Sequence, residues 1–173
     1  MALCHMLYSS ALVGVDKINK ATQFKMTAMD IEPLSADNIK PLTELVLELW
    51  PDCVFDEEYE NYKNILGSKN EICYLIKEQE IYIAFIHLTI RNDYVEGANE
   101  LPVAYLEALY VRPNYQNLGI GKKLIAAGES WSRQKGCKQL ASDTELNNFS
   151  SINFHKKIGF EEVNRIVCFI KEL

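Results

Sequence analysis

The stretch VAYLEALYVRPNYQNLGIGKKLIAAGESW, residues 103–131, constrains this chain more than any other. A run of apolar and aromatic residues has the composition of a buried central strand. A loop with Gly119 and Gly121 follows, then a helix predicted from about Gly121 to Gln134, with Ile120, Leu124, Gly128 and Trp131 on one face. A strand, a short glycine-bearing loop and a helix leave main-chain N–H groups around a concavity. The positive end of the helix dipole points at the same spot. Such a turn suits a phosphate or pyrophosphate, because side chains at 119 and 121 would keep a ligand from the backbone. The pattern is neither G-x-x-x-x-G-K-[ST] nor G-x-G-x-x-G, which argues against a nucleotide-hydrolysing loop and a dinucleotide fingerprint. A bare G-x-G is ordinarily a tight turn, so its context must decide.

The context reads as an α/β domain on a mixed sheet. DIEPL opens it as a short strand. Asp37 or Asn38 can cap a helix whose apolar face is Ile39, Leu42, Leu45, Val46 and Leu49, ending near Trp50–Pro51. The acidic segment Asp52–Glu60 is partly helical, with Tyr59, Tyr62 and Leu66 inward and Gly67 as the stop. EICYLIKE and IYIAFIHLTIR are strands around a Gln79–Glu80 turn, and KQLASD is a short strand. Asn148 caps the helix FSSINFHKK, which ends near Gly159, and EEVNRIVCFIKE is expected to be the last strand.

A length of 173 residues fits one domain, expected over 29–173, after a poorly ordered extension over 1–28. That extension has no Lys or Arg before its apolar part, which His5, Tyr8, Ser9 and Ser10 interrupt, so it does not read as a secretory signal. No apolar run reaches the roughly 18 residues of a membrane helix. The formal net charge is -6, and residues 29–173 alone carry 15 basic and 23 acidic groups. This disfavours nucleic acid as a partner. It is compatible with a cationic substrate and equally with acidity that serves only solubility. Five scattered cysteines without a CxxC, and three histidines without ligand spacing, argue against a disulfide framework or a metal site. They read as apolar thiols in a reducing cytoplasm.

Gln116-x-x-Gly119-x-Gly121, between LYVRP and an amphipathic helix, resembles the [RQ]-x-x-G-x-[GA] acetyl-CoA signature of the GNAT acyltransferase superfamily. Asn148 and Lys157-Ile158-Gly159-Phe160 resemble a second block of that family. The resemblance implies a mostly antiparallel sheet flanked by helices. It also implies acetyl-CoA held by Leu109, Tyr110, Val111, Gln116, Asn117, Leu118, Gly119, Ile120, Gly121, Lys122 and Asn148. No metal is called for.

Acetyl transfer to an amine requires a lone pair on nitrogen, stabilisation of a developing oxyanion and a proton for the leaving thiolate. Glu107 lies inside an otherwise apolar strand, as an edge charge or as a functional carboxylate. Asp143 ends KQLASD, as a turn or cap residue or as a group that meets an amine. Main-chain N–H groups near Ala108 and Leu109 are oxyanion candidates. His155 stands where many GNAT enzymes place a tyrosine as general acid; it either protonates the thiolate or only packs against CoA.

From about Asp30 onward the chain is similar to single-domain bacterial aminoglycoside 6'-N-acetyltransferases, through ELWP, IRNDYVEG, LPVAYLEALYVRP, LIAAGESW, KGCKQLASDT and GFEEVNRIVCFIKE. This implies a polycationic aminoglycoside as acceptor, with Trp50, Tyr94, Glu107 and Asp143 around it, direct transfer in a ternary complex, and a homodimer. The acidic segment 52–60 either contributes to that site or is a solvated face. Another amine, such as a polyamine or a protein N-terminus, is the alternative acceptor; a non-catalytic acyl-CoA sensor is the alternative class.

Overall fold

Long strands form where β-branched and aromatic residues run together, and helices where apolar residues recur every three or four positions. The structure, a computed structural model, describes residues 29–173; the expected extension over 1–28 lies outside the described residues. The elements are β1 (Ile31–Pro33), α1 (Ile39–Leu49), α2 (Phe55–Ile65), β2 (Glu71–Glu78), β3 (Ile81–Arg91), β4 (Val103–Val111), α3 (Ile120–Gln134), β5 (Leu140–Ser142) and α4 (Phe149–Lys157). The sheet order is β1-β2-β3-β4-β5. Its first three pairings are antiparallel, and β4–β5, bridged by α3, is parallel.

Each face of the sheet carries its own core. Cys73, Leu75, Phe85 and Ala108 pack with Ile39, Leu42, Leu45 and Val46 of α1 and Tyr62 and Ile65 of α2. Full burial of Leu42 or Leu45 contributes about 1.5–3 kcal/mol relative to exposure. On the other face Ile76, Ala84, Ile86, Leu88 and Leu106 pack with Ile120, Leu124, Ile125 and Trp131 of α3. Gly128 lets α3 come close to the sheet there, since a Cβ would lie 3.0 Å from both Leu88 Cδ atoms. The Gln79–Glu80 turn is tight because both residues adopt positive φ, 47° and 67°, matching the twist of a two-residue hairpin.

Three sequence expectations are corrected. Asn38 precedes α1, but its side chain looks backward: Oδ1 accepts from the Ser35 N–H at 2.8 Å and Nδ2 donates to the Pro33 carbonyl at 3.1 Å. It staples the β1–α1 connection instead of capping the helix. In α2 it is Ile65 that turns inward, while Leu66 is exposed at the helix end. Finally, residues 160–173 form no strand. A strand needs an edge to bond to, and this apolar segment lies off its own sheet with Phe169 92% and Ile170 98% exposed.

Candidate active site

The glycine turn has two glycines for two different reasons. Gly119 is the residue before α3 and sits in the left-handed region at φ 82°, with nothing within 4 Å of where a Cβ would stand. That open space, two lysines (Lys122 and Lys123) and no acid in the first turn make the helix N-terminus fit an anionic group. A Cβ on Gly121, by contrast, would lie 3.1 and 3.3 Å from the Phe154 ring. At 121 the missing side chain also lets α3 pack on α4. Asn117 shares the left-handed conformation at φ 62°. Gln116 ties the loop to the strand it leaves: Nε2 donates to the Val111 carbonyl at 3.0 Å. Leu118 is exposed.

β5 pairs with β4 only over Ala104–Leu106. From Glu107 to Val111 the β5-facing edge of β4 has no strand partner among the described residues, because β5 ends at Ser142. Alternate N–H groups along that edge, through Leu109, Tyr110 and Val111, are left for another acceptor. Where that pairing ends, β4 carries a bulge. His87 lies opposite Ala108 and Leu88 opposite Leu106, which leaves Glu107 as the extra residue. A bulge re-aims a side chain. Here it turns Glu107 to the same face as Ala108, toward α1 and α2.

On that face Glu107 accepts from Thr89 Oγ1 at 2.5 Å and from Arg91 Nη2 at 2.9 and 3.1 Å. Its side chain is 8% exposed, so the carboxylate is buried but paired. The Arg91 guanidinium also lies 3.3 Å from the centre of the Tyr105 ring. Burial, then the charge of Asp143, pushes the Tyr105 phenol up to about 12. Arg91 thus joins Glu107 to the Tyr105 ring, and the charge of Asp143 acts on the same phenol.

His155 is held by the end of α4. The Gly159 N–H donates to the Lys156 carbonyl at 3.3 Å and the Phe160 N–H to the His155 carbonyl at 3.0 Å, a Schellman stop with Gly159 at φ 100°. The Phe160 ring then lies edge-on to the His155 ring at 5.1 Å. Lys157-Ile158-Gly159-Phe160 is thus a physical device for orienting His155. Its Nδ1 is 2.8 Å from the Ser151 carbonyl, which can only accept, so Nδ1 carries a proton. Neutral His155 therefore presents a lone pair on Nε2 to the Ser142 hydroxyl 3.1 Å away. Asn148 caps α4 as expected, its Oδ1 accepting from the Ser151 N–H at 3.1 Å; its amide nitrogen remains for another contact.

The remaining expected contacts divide. Trp50 packs against the core cluster containing Ala108, next to Glu107. Tyr94 is 80% exposed and its hydroxyl bonds to Glu96. It borders a pocket of about 380 Å³ with Val95, Ala98, Asn99, Glu100 and Leu101, and neither Glu107 nor Asp143 lines that pocket. Asp56 and Glu57 are exposed in the first turn of α2, where they complement the helix dipole. Thr89, Arg91, Tyr105 and Ser142 were not singled out in the sequence. Two polar residues two apart at the end of β3, Thr89 and Arg91, and two more two apart in β4, Tyr105 and Glu107, were the available signal.

A family model described as Acetyltransferase (GNAT) family matches residues 39–160. The chain is 33% identical over 143 residues to the aminoglycoside N(6')-acetyltransferase type 1 of Salmonella enteritidis, covering 83% of this chain and 99% of that protein. It is 35% identical over 127 residues to the protein of the same name from Stenotrophomonas maltophilia, covering 73% and 82%. The structure of AAC(6')-Iy in complex with the bisubstrate analogue CoA-S-monomethyl-acetylneamine superposes with a TM-score of 0.82 at 32% identity, over 85% of this chain and 100% of that one. The AAC(6')-Ih structure from Acinetobacter baumannii gives 0.79 at 32% identity, over 84% and 99%.

Proposed function

Because the chain belongs to the GNAT acetyltransferase family, we propose that it transfers an acetyl group from acetyl-CoA to the 6'-amino group of an aminoglycoside, and so confers resistance. The observation that carries the acceptor is the Glu107 carboxylate fixed by Thr89 and Arg91 in the bulge of β4, with Asp143 just after β5 near enough to act by charge on Tyr105 beside it. An amino-sugar with several ammonium groups is attracted to such a site, and the domain's acidity adds to the attraction.

Acetyl-CoA supplies the thioester carbonyl that the amine attacks. The Gly119 backbone, Lys122 and the α3 N-terminus receive its pyrophosphate, and the open edge of β4 runs along the rest of the molecule. Glu107 anchors the cationic acceptor, with Trp50 and Tyr94 at its border. Asp143 takes the proton of the attacking ammonium, giving nitrogen its lone pair. Main-chain N–H groups at the bulge stabilise the oxyanion. His155, as imidazolium, returns a proton to the departing thiolate. Transfer is direct within the ternary complex.

The reaction belongs in the cytoplasm, where acetyl-CoA and reduced thiols coexist. Among the described residues Cys73, Cys137 and Cys168 carry free thiols, and no helix is long and apolar enough to cross a membrane. A homodimer is part of the same reading. Val163, Ile166, Val167, Phe169 and Ile170 are exposed, and β5 has an unpaired outer edge among the described residues. Exposed apolar residues and an open strand edge each call for a second copy.

Purified protein, acetyl-CoA and a panel of amines test the function. Thiol release with tobramycin or kanamycin, and a product heavier by one acetyl group, is expected. Release only with a polyamine or an N-terminal peptide would move the acceptor. Binding of acetyl-CoA without transfer to any amine would make the protein a sensor.

A further inference from the structure

Glu107 lies within β4 and Asp143 is the exposed residue just after β5, and each needs a fixed side-chain geometry to act on one substrate. Arg91 stands between Glu107 and the Tyr105 ring. One side of its guanidinium faces the Glu107 carboxylate, reaching both oxygens at 2.9 and 3.1 Å. Its Cζ lies over the Tyr105 ring, 3.3 Å from the centre. Thr89 closes the remaining side of Glu107 at 2.5 Å. Thr89 lies directly opposite Tyr105 in the β3–β4 ladder, and Arg91 is two residues further along the same face.

We propose that Arg91 is a positioning residue for acceptor acetylation: held between Glu107 and the Tyr105 ring, it sets the orientation of both and so the placement of the Glu107 carboxylate that anchors the acceptor. This rests on the acceptor reading above. The chemistry requires arginine, because a planar guanidinium can pair with a carboxylate and stack on an aromatic ring at once, whereas a lysine ammonium supplies only a point charge. Arg91 also divides the labour. It balances the charge of Glu107, which serves as a fixed anchor, while Asp143 has no cationic partner among the described residues and meets the substrate with its charge unbalanced.

The test compares wild type, R91A, R91K, E107Q and R91A/E107Q with acetyl-CoA and tobramycin. R91A should lose about a hundredfold in kcat/KM for tobramycin, the size of a small misplacement of reacting groups, with KM for acetyl-CoA unchanged. R91K should recover little of this. Added methylguanidinium should restore R91A but not R91A/E107Q, and the double variant should be no slower than the slower single one. Wild-type kinetics in R91K, full multiplication of the two losses, or no rescue by methylguanidinium would overturn the role. If wild type acetylates no amine, the acceptor reading fails instead. The contact is then read from urea unfolding of the same proteins, where less-than-additive midpoint shifts support it and additive ones overturn it.

Discussion

The Nδ1 of His155 lies 2.8 Å from the main-chain oxygen of Ser151, one turn earlier in α4. That contact dictates the tautomer, directs Nε2 to Ser142 and makes the imidazolium the form able to give up a proton from Nε2. His155→Phe would keep the edge-on packing against Phe160 while removing the proton. Turnover should fall about a hundredfold or more, within the range of lost general acid catalysis, at nearly unchanged Tm. Wild-type turnover would reduce the ring to a packing role.

Asp143→Asn keeps shape and removes the charge that accepts the amine proton. A loss of about a hundredfold or more in kcat is expected, with KM for acetyl-CoA preserved, because the glycine turn lies on a different element. Steady-state kinetics with tobramycin decide it; an undiminished kcat would take the base role from Asp143.

The two glycines of the turn should fail differently. Gly119→Ala meets no neighbour but forces a Cβ into φ 82°, at a cost of roughly 1–2 kcal/mol. Gly121→Ala pushes on the Phe154 ring instead. Phe154→Leu should therefore relieve Gly121→Ala and leave Gly119→Ala unrelieved, as read by urea midpoints.

Acid stability follows from two carboxylates. The His87 imidazole, its Nε2 3.6 Å from a Glu71 oxygen, holds Glu71 below its ordinary value of 4.5, and the Tyr82 hydroxyl, 2.7 Å away, does the same for Glu32. Groups with depressed folded values stabilise fully above about pH 4.5 and lose that contribution as pH falls through the folded values. Wild type should weaken steadily below pH 4.5. The Glu32→Gln/Glu71→Gln protein should weaken less, as followed by urea unfolding at stepped pH; equal slopes would contradict the assignment.

The exposed C-terminal segment makes a hydrodynamic prediction. Wild type should sediment as a dimer, and a Phe169→Asp/Ile170→Asp variant as a monomer, since charge in place of two apolar side chains exposed at 92% and 98% opposes their burial. Sedimentation velocity of both proteins measures this directly; a monomeric wild type would remove the second copy.

Local sequence determined much of this molecule. β2, β3 and β4 occupy the runs EICYLIKE, IYIAFIHLTIR and VAYLEALYV from end to end, and α4 runs from the Asn148 cap to the Gly159 stop. Periodicity, capping and left-handed glycines act within a few residues, so they are legible in one segment at a time. The tertiary structure decided the rest. Glu107 became a bulge only because β3 pairs with β4 in one register, and that register brought Arg91 to it from 16 positions away. Ser142 met His155 only because α4 returns beside β5. The same limit explains residues 160–173: their apolar pattern encodes a need for burial, but the surface that meets the need is a property of pairing between segments, which no single segment contains.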